Sequence, residues 1–128
     1  MSFDQLVVDP ARVPCDSHEA FMRWYDEVFP EQSAVEDVSE CTEAIAAFYN
    51  EITESMPDLN GPDFDEDEDE DDAAEYDLRA DSVYLACSWM PGADELAPTL
   101  ARKHQLAYVD VSGDSTIYLP DGSTIHPN

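Results

Sequence analysis

Ser82-Val83-Tyr84-Leu85-Ala86-Cys87-Ser88-Trp89 is the stretch that decides the fold. In an extended chain Val83, Leu85, Cys87 and Trp89 point one way and Tyr84, Ala86 and Ser88 the other. Nearly every position is apolar or small, which places this strand centrally in a sheet. Met90-Pro91-Gly92 breaks it.

Downstream, Asp94 to His104 reads as a helix that buries Leu96 and Leu100 and ends on Arg102-Lys103-His104, cations that complement the helix dipole. Pro98 conflicts with a start at Asp94 and is natural if the regular helix begins at Pro98 itself. Leu106–Val111 and Thr116–Leu119 read as strands, joined by the hairpin signal Ser112-Gly113-Asp114-Ser115. Asp121-Gly122 marks one more turn before a short strand at Ser123–Ile125.

Upstream, Phe3–Val8 reads as a strand ending at Asp9-Pro10. Asp16 to Phe29 reads as a helix, with Asp16 and Glu19 as a capping box and Phe21, Trp24, Tyr25 and Val28 on one apolar face. Glu19 and Arg23 form an i,i+4 pair, and Pro30 stops the helix. A second helix from Val38 to Ser55 carries the stripe Cys41, Ile45, Phe48 and Ile52, flanked by Ala44, Tyr49 and Met56. Its other face carries Glu40, Glu43, Glu51 and Glu54, and Pro57 ends it. The order is β-α-α-loop-β-α-β-β, without internal repeats. It predicts one α+β domain over 1–128, with a small, mostly antiparallel or mixed sheet and three helices. Helices on one face are the economical arrangement, and the third helix would supply a crossover between parallel strands.

Between the halves, residues 58–77 read as an exposed loop. Asp58-Leu59-Asn60-Gly61-Pro62 is breaker chemistry, and Asp65-Glu66-Asp67-Glu68-Asp69-Glu70-Asp71-Asp72 is a run of eight carboxylates that oppose both helix and packed strand. The formal net charge is −26, from 31 Asp and Glu against five Lys and Arg. Most carboxylates therefore lie outside the run. Such charge speaks to steering and partners rather than to fold. It repels phosphates, which excludes nucleic acid and anionic membrane surfaces as partners.

Chemistry-bearing motifs are absent from the sequence. Cys15, Cys41 and Cys87 form no CxxC, and their odd number and long spacing point to core thiols rather than to a disulfide framework or a zinc site. His18, His104 and His126 are scattered, and there is no HExxH, nucleophile elbow or glycine-rich phosphate loop. The acidic run lacks the interleaved ligands, turn glycine and closing glutamate of a calcium loop, so it would hold divalent ions only diffusely. No enzyme activity, cofactor or metal is expected. The opening residues Met1-Ser2-Phe3-Asp4-Gln5 have no basic n-region or apolar h-region, and no stretch approaches the roughly 20 apolar residues of a membrane span, so the cytoplasm is the expected location.

What remains is a protein surface. Carboxylates attract a basic protein and raise its association rate. The partner-binding residues expected are Asp63, Phe64, Asp65, Glu66, Asp67, Glu68, Asp69, Glu70, Asp71, Asp72, Glu75, Tyr76 and Asp77. Tyr49, Tyr76, Tyr84 and Tyr108 exceed what the core takes, and Tyr76 with Phe64 would flank the run as anchors. Two other readings use the same charge: a DNA mimic that blocks a nucleic-acid-binding protein, and a salt-adapted protein with no charge-specific partner.

Trp89, then Leu100-Ala101-Arg102-Lys103-His104-Gln105-Leu106-Ala107-Tyr108-Val109-Asp110, then Tyr118-Leu119-Pro120 form a pattern in which a strand ending in Trp precedes a helix and Leu-Ala-x-x-His leads into a strand with Tyr and Asp. This C-terminal part resembles immunity proteins of bacterial polymorphic toxins. The resemblance implies a small cytosolic antidote that binds and blocks one cognate toxin, including nucleic-acid-acting or ADP-ribosyltransferase-type effectors. Gln105 stands where that pattern has Gly, and Val109-Asp110-Val111 replaces its Asp-Pro-Gln continuation.

Overall fold

The computed structural model describes residues 2–32, 35, 37–55, 74–88, 93–111 and 116–126. They form strands β1 (Ser2–Val8), β2 (Ala74–Leu78), β3 (Ser82–Ser88), β4 (Ala107–Val109), β5 (Ile117–Tyr118) and β6 (Thr124–Ile125). The helices are α1 (His18–Glu27), α2 (Glu43–Ser55) and α3 (Ala93–Lys103). The class is α+β, with one six-stranded sheet in the order β2-β3-β1-β4-β5-β6. β3 pairs on both sides, with β1 from Ser82↔Val8 to Ser88↔Ser2 and with β2 from Val83↔Leu78 to Cys87↔Ala74.

All five pairings are antiparallel. The expected α3 crossover is present all the same. β1 lies between β3 and β4 and runs against both, so α3 joins two strands of one direction that never touch. β2 corrects the loop expected over 58–77. Ala74-Glu75-Tyr76-Asp77-Leu78 alternates apolar and acidic residues, the period of a half-covered strand. It lies at the sheet edge, where charge discourages pairing with another chain.

Helices cover both faces of the sheet, not one. Successive strand residues point to opposite faces, and the two core clusters follow that alternation. Val7, Tyr76, Val83, Leu85 and Tyr108 meet Ile45, Phe48 and Ile52 of α2 and Ala97, Leu100 and Ala101 of α3. Leu6, Val8, Val109 and Ile117 meet Phe21 and Trp24 of α1, with Val13 and Phe29. Gln5 is fully buried in the first layer, where its Oε1 accepts a 2.8 Å hydrogen bond from the Tyr108 hydroxyl.

Side-chain caps reset both N-terminal helix boundaries. Ser17, not Asp16, is the N-cap of α1, and its Oγ accepts from the Ala20 N–H at 3.1 Å. The helix stops at Glu27, and the chain tightens into a 3-10 turn over Phe29–Glu31. That turn buries Phe29 and leaves Val28 43% exposed, off the apolar face expected for it. The segment expected to be helical from Val38 is divided. Val38–Glu40 is a 3-10 turn closed by a capping box between Asp37 and Glu40, and α2 starts afresh where Thr42 Oγ1 accepts from the Ile45 N–H at 3.3 Å. Pro98 lies inside α3, which begins at Ala93.

The end of α3 sets the backbone at Gln105. Leu106 N–H bonds Ala101 C=O at 2.7 Å, and Gln105 N–H bonds Arg102 C=O at 3.2 Å. This is a Schellman cap, which requires a left-handed residue at the position Gln105 holds with φ +62°. A side chain is strained there and glycine is not. Gln105→Gly should therefore raise the free energy of unfolding, by about 1 kcal/mol after the extra backbone entropy of glycine is counted. Urea denaturation of the two proteins measures it, and a less stable glycine variant contradicts the account.

Candidate functional site

Of the residues expected to bind a partner, Asp63, Phe64, Asp65, Glu66, Asp67, Glu68, Asp69, Glu70, Asp71 and Asp72 lie outside the described residues. The segment holding them leaves after Ser55 of α2 and returns at Ala74 of β2. The other three expected residues lie in β2. Glu75 stands opposite Ala86 in the register. Tyr76 is 8% exposed and packs edge-on against Tyr49, ring centres 5.5 Å apart, so it is a core residue and not an exposed anchor. The apolar positions of an edge strand turn toward the helix layer, and α2 supplies that layer here. Asp77 is spent on Arg79, which it binds through both oxygens at 3.3 and 2.9 Å.

Arg79 is the residue that sequence reasoning missed. Its side chain is 13% exposed. It donates to Asp77, to the Phe29 carbonyl and to the Gln32 carbonyl (3.0 Å), and its guanidinium lies 3.9 Å from the Phe29 ring centre. The β2–β3 turn it occupies also receives backbone bonds from distant segments. Val35 N–H donates to Leu78, Thr42 N–H to Ala80 and Asp9 N–H to Asp81. The end of β2, the strand at which the acidic segment returns, is thus tied to distant segments by backbone bonds and by one cation. Its rarity in the sequence, one of five Lys and Arg, was the available signal.

The remaining tyrosines are mostly packed. Tyr108 is buried, and Tyr84 joins a chain of rings from Phe21 and Trp24 through Tyr25 and Phe29. Tyr84 donates to Asp4 Oδ2 at 2.9 Å, and burial followed by that bond and the Asp4 charge pushes its hydroxyl up. The large hydrophobics exposed among the described residues are Val28 and Tyr118.

The described carboxylates are placed against helix electrostatics. A helix C-terminus favours cations. α1 ends on Asp26 and Glu27, and α2 carries Glu51 and Glu54 toward its end, with no basic residue in either last turn. Glu51 is answered by the end of α3, where Lys103 Nζ lies 2.8 Å from Oε2, and by the next residue, His104, whose Nε2 lies 2.8 Å from Oε1. Asp26, Glu27, Glu31, Glu43, Glu54 and Glu95 are exposed and take no ion pair among the described residues. They lie on both sides of the sheet, since α1 covers one face and α2 and α3 the other.

Hydrogen bonds from Lys103 and then His104 hold the Glu51 carboxyl below its usual range. A lowered carboxyl stabilises the fold in full above its unfolded value of 4.5, and that contribution disappears as pH falls through the lowered folded value. The difference in melting temperature between the chain and Glu51→Gln should be full at neutral pH and close as pH drops below about 4.5. A constant difference down to about pH 3 excludes the bridge as its source.

Cys15 and Cys41 are half-buried free thiols. Burial, then Asp16 and Asp9, pushes the Cys15 thiol up to about 11. Burial, then Glu40, Asp37 and Asp81, does the same to Cys41, which also donates to the Arg79 carbonyl at 3.3 Å. Thiols held protonated at neutral pH are weak nucleophiles. Among the described residues no group of three His, Cys, Asp or Glu could hold a metal ion, and no helix is long and apolar enough to cross a membrane. No family model, curated protein or solved structure matches the chain.

Proposed function

We propose that this chain is a stoichiometric inhibitor of a basic protein, acting in the cytoplasm in the manner of a bacterial toxin immunity protein. The observation that carries the reading is the placement of carboxylates where the fold gains nothing from them. Asp26, Glu27 and Glu54 oppose the dipoles of α1 and α2, each at a cost of roughly 0.3–1 kcal/mol. Local choices that work against the fold concentrate where a protein binds something. The acidic segment supplies long-range attraction, and the exposed ends of α1 and α2 supply the structured carboxylates that meet lysines and arginines. Their spread over both faces weighs against a DNA mimic, which needs one face with phosphate-like spacing.

The test is capture of the partner from the native host, followed by kinetics on the recovered pair. One basic protein should be retained at about 150 mM salt, where weak surface attraction is largely screened. Deleting residues 65–72 should slow association about 10-fold or more and flatten its salt dependence, with dissociation changing far less. If no specific protein is retained, the charge serves solvation alone and the proposal fails.

A further inference from the structure

A cavity of about 200 Å³ lies on the α2–α3 side of the sheet, between α3 and the strands beyond it. Pro98 and Arg102 of α3, Leu106 and Tyr108, and Tyr118, Leu119, Gly122 and Ser123 line it. Tyr118 pairs with Tyr108 across β4 and β5, their ring centres lie 6.0 Å apart, and Tyr118 is 44% exposed. Two tyrosine rings, Pro98 and two leucines give the cavity an apolar part beside one charge.

The guanidinium is exposed. Arg102, like Arg12, takes no ion pair among the described residues, although the sequence holds 31 carboxylates. Its neighbours Lys103 and His104 are committed to Glu51. The acid of the facing turn, Asp121, makes no ion pair with Arg102 and accepts from Ser123 N–H at 2.8 Å and Ser123 Oγ at 2.5 Å. Arg102 Nη2 lies 2.9 Å from where a Cβ on Gly122 would stand, and the φ of +94° at Gly122 is one that glycine takes without strain.

A guanidinium carries five N–H donors in a planar fork and no acceptor, which matches a carboxylate held through both oxygens. The field of a chain with net charge −26 opposes every negative charge brought in, so a monoanion is favoured over a phosphate dianion. The volume is below the roughly 300–1,000 Å³ of drug-sized sites and suits a single ring or a short chain. We propose that this cavity binds a small monocarboxylate on a flat apolar frame, with Arg102 holding the carboxylate and Tyr118 covering the ring. Binding here is independent of any basic partner.

Benzoate is the probe, with neutral benzamide as its uncharged match, both titrated into the full chain and followed by amide chemical shifts. Benzoate should give saturable shifts at Leu119, Gly122 and Ser123 with a Kd on the order of 1 mM, the range for a ligand of nine heavy atoms. Benzamide should bind at least about 10-fold more weakly, because the charge-assisted fork is lost. Arg102→Gln should weaken benzoate by about 10-fold, and Arg102→Lys by less, since it keeps the charge without the fork. Tyr118→Ala, at an exposed position that does not threaten folding, should also weaken benzoate several-fold. Equal binding of the two probes, unchanged binding in Arg102→Gln and Tyr118→Ala, or no saturable shift up to about 20 mM benzoate overturns the proposal.

Discussion

Arg79→Ala should lower the free energy of unfolding by about 3 kcal/mol, the magnitude for removing one partner of a mostly buried charge network. The side chain is 13% exposed and joins β2 to the 3-10 turn after α1 through Asp77, the Phe29 carbonyl and the Gln32 carbonyl. Truncation strips the donors from two carbonyls and a carboxylate at once and removes the cation from the Phe29 ring. Unsatisfied buried acceptors cost more than the bonds themselves contribute. Arg79→Lys should recover only a minority of the loss, because one ammonium cannot reach acceptors arranged around a planar fork. Chemical denaturation followed by tryptophan fluorescence reads both variants. A loss below about 1 kcal/mol in Arg79→Ala would mean that the backbone bonds of the β2–β3 turn hold the strand without the cation.

Phe21→Ala and Phe48→Ala should each cost about 4 kcal/mol. Both rings are essentially inaccessible, at 1% and 0% exposure. They belong to different layers: Phe21 packs with Leu6, Val8 and Val109 on one face of the sheet, and Phe48 with Val7, Val83 and Leu85 on the other. Cavities on opposite sides of a sheet share no lining, so their effects should add. The gentler pair Phe21→Leu and Phe48→Leu tests this without unfolding the protein. The double variant should equal the sum of the single losses within about 0.5 kcal/mol. A larger coupling would mean that the two layers are one core.

Much of the fold was legible in patterns. Ser82–Ser88 was readable as an inner strand because its composition suits burial and because Pro91-Gly92 follows it. The stripe Ile45, Phe48 and Ile52 was readable as a helix face because its spacing is helical, and all three are buried. β2 was not read, although Ala74-Glu75-Tyr76-Asp77-Leu78 alternates correctly, because two carboxylates beside an acidic run look like more of the run. Tyr76 followed it into the wrong class, as an expected anchor that is a core residue. The boundaries of α1 and α2 moved for a different reason: Ser17 and Thr42 each cap through one side-chain hydrogen bond, Asp37 and Glu40 close a separate 3-10 turn ahead of α2, and several neighbouring residues could have done the same.

The sequence by itself determined the class of the fold, one inner strand of its sheet, the apolar faces of its helices and an acidity that no fold requirement explains. These are local properties, since periodicity and charge are written along the chain. Only the tertiary structure decided that helices cover both faces, that one arginine reaches from the end of the edge strand to carbonyls 47 and 50 residues away, and that Arg102 stands at a cavity without an acid of its own. Those depend on which distant residues meet across the sheet, and a side chain that meets its partner 50 positions away leaves no periodic mark in the sequence.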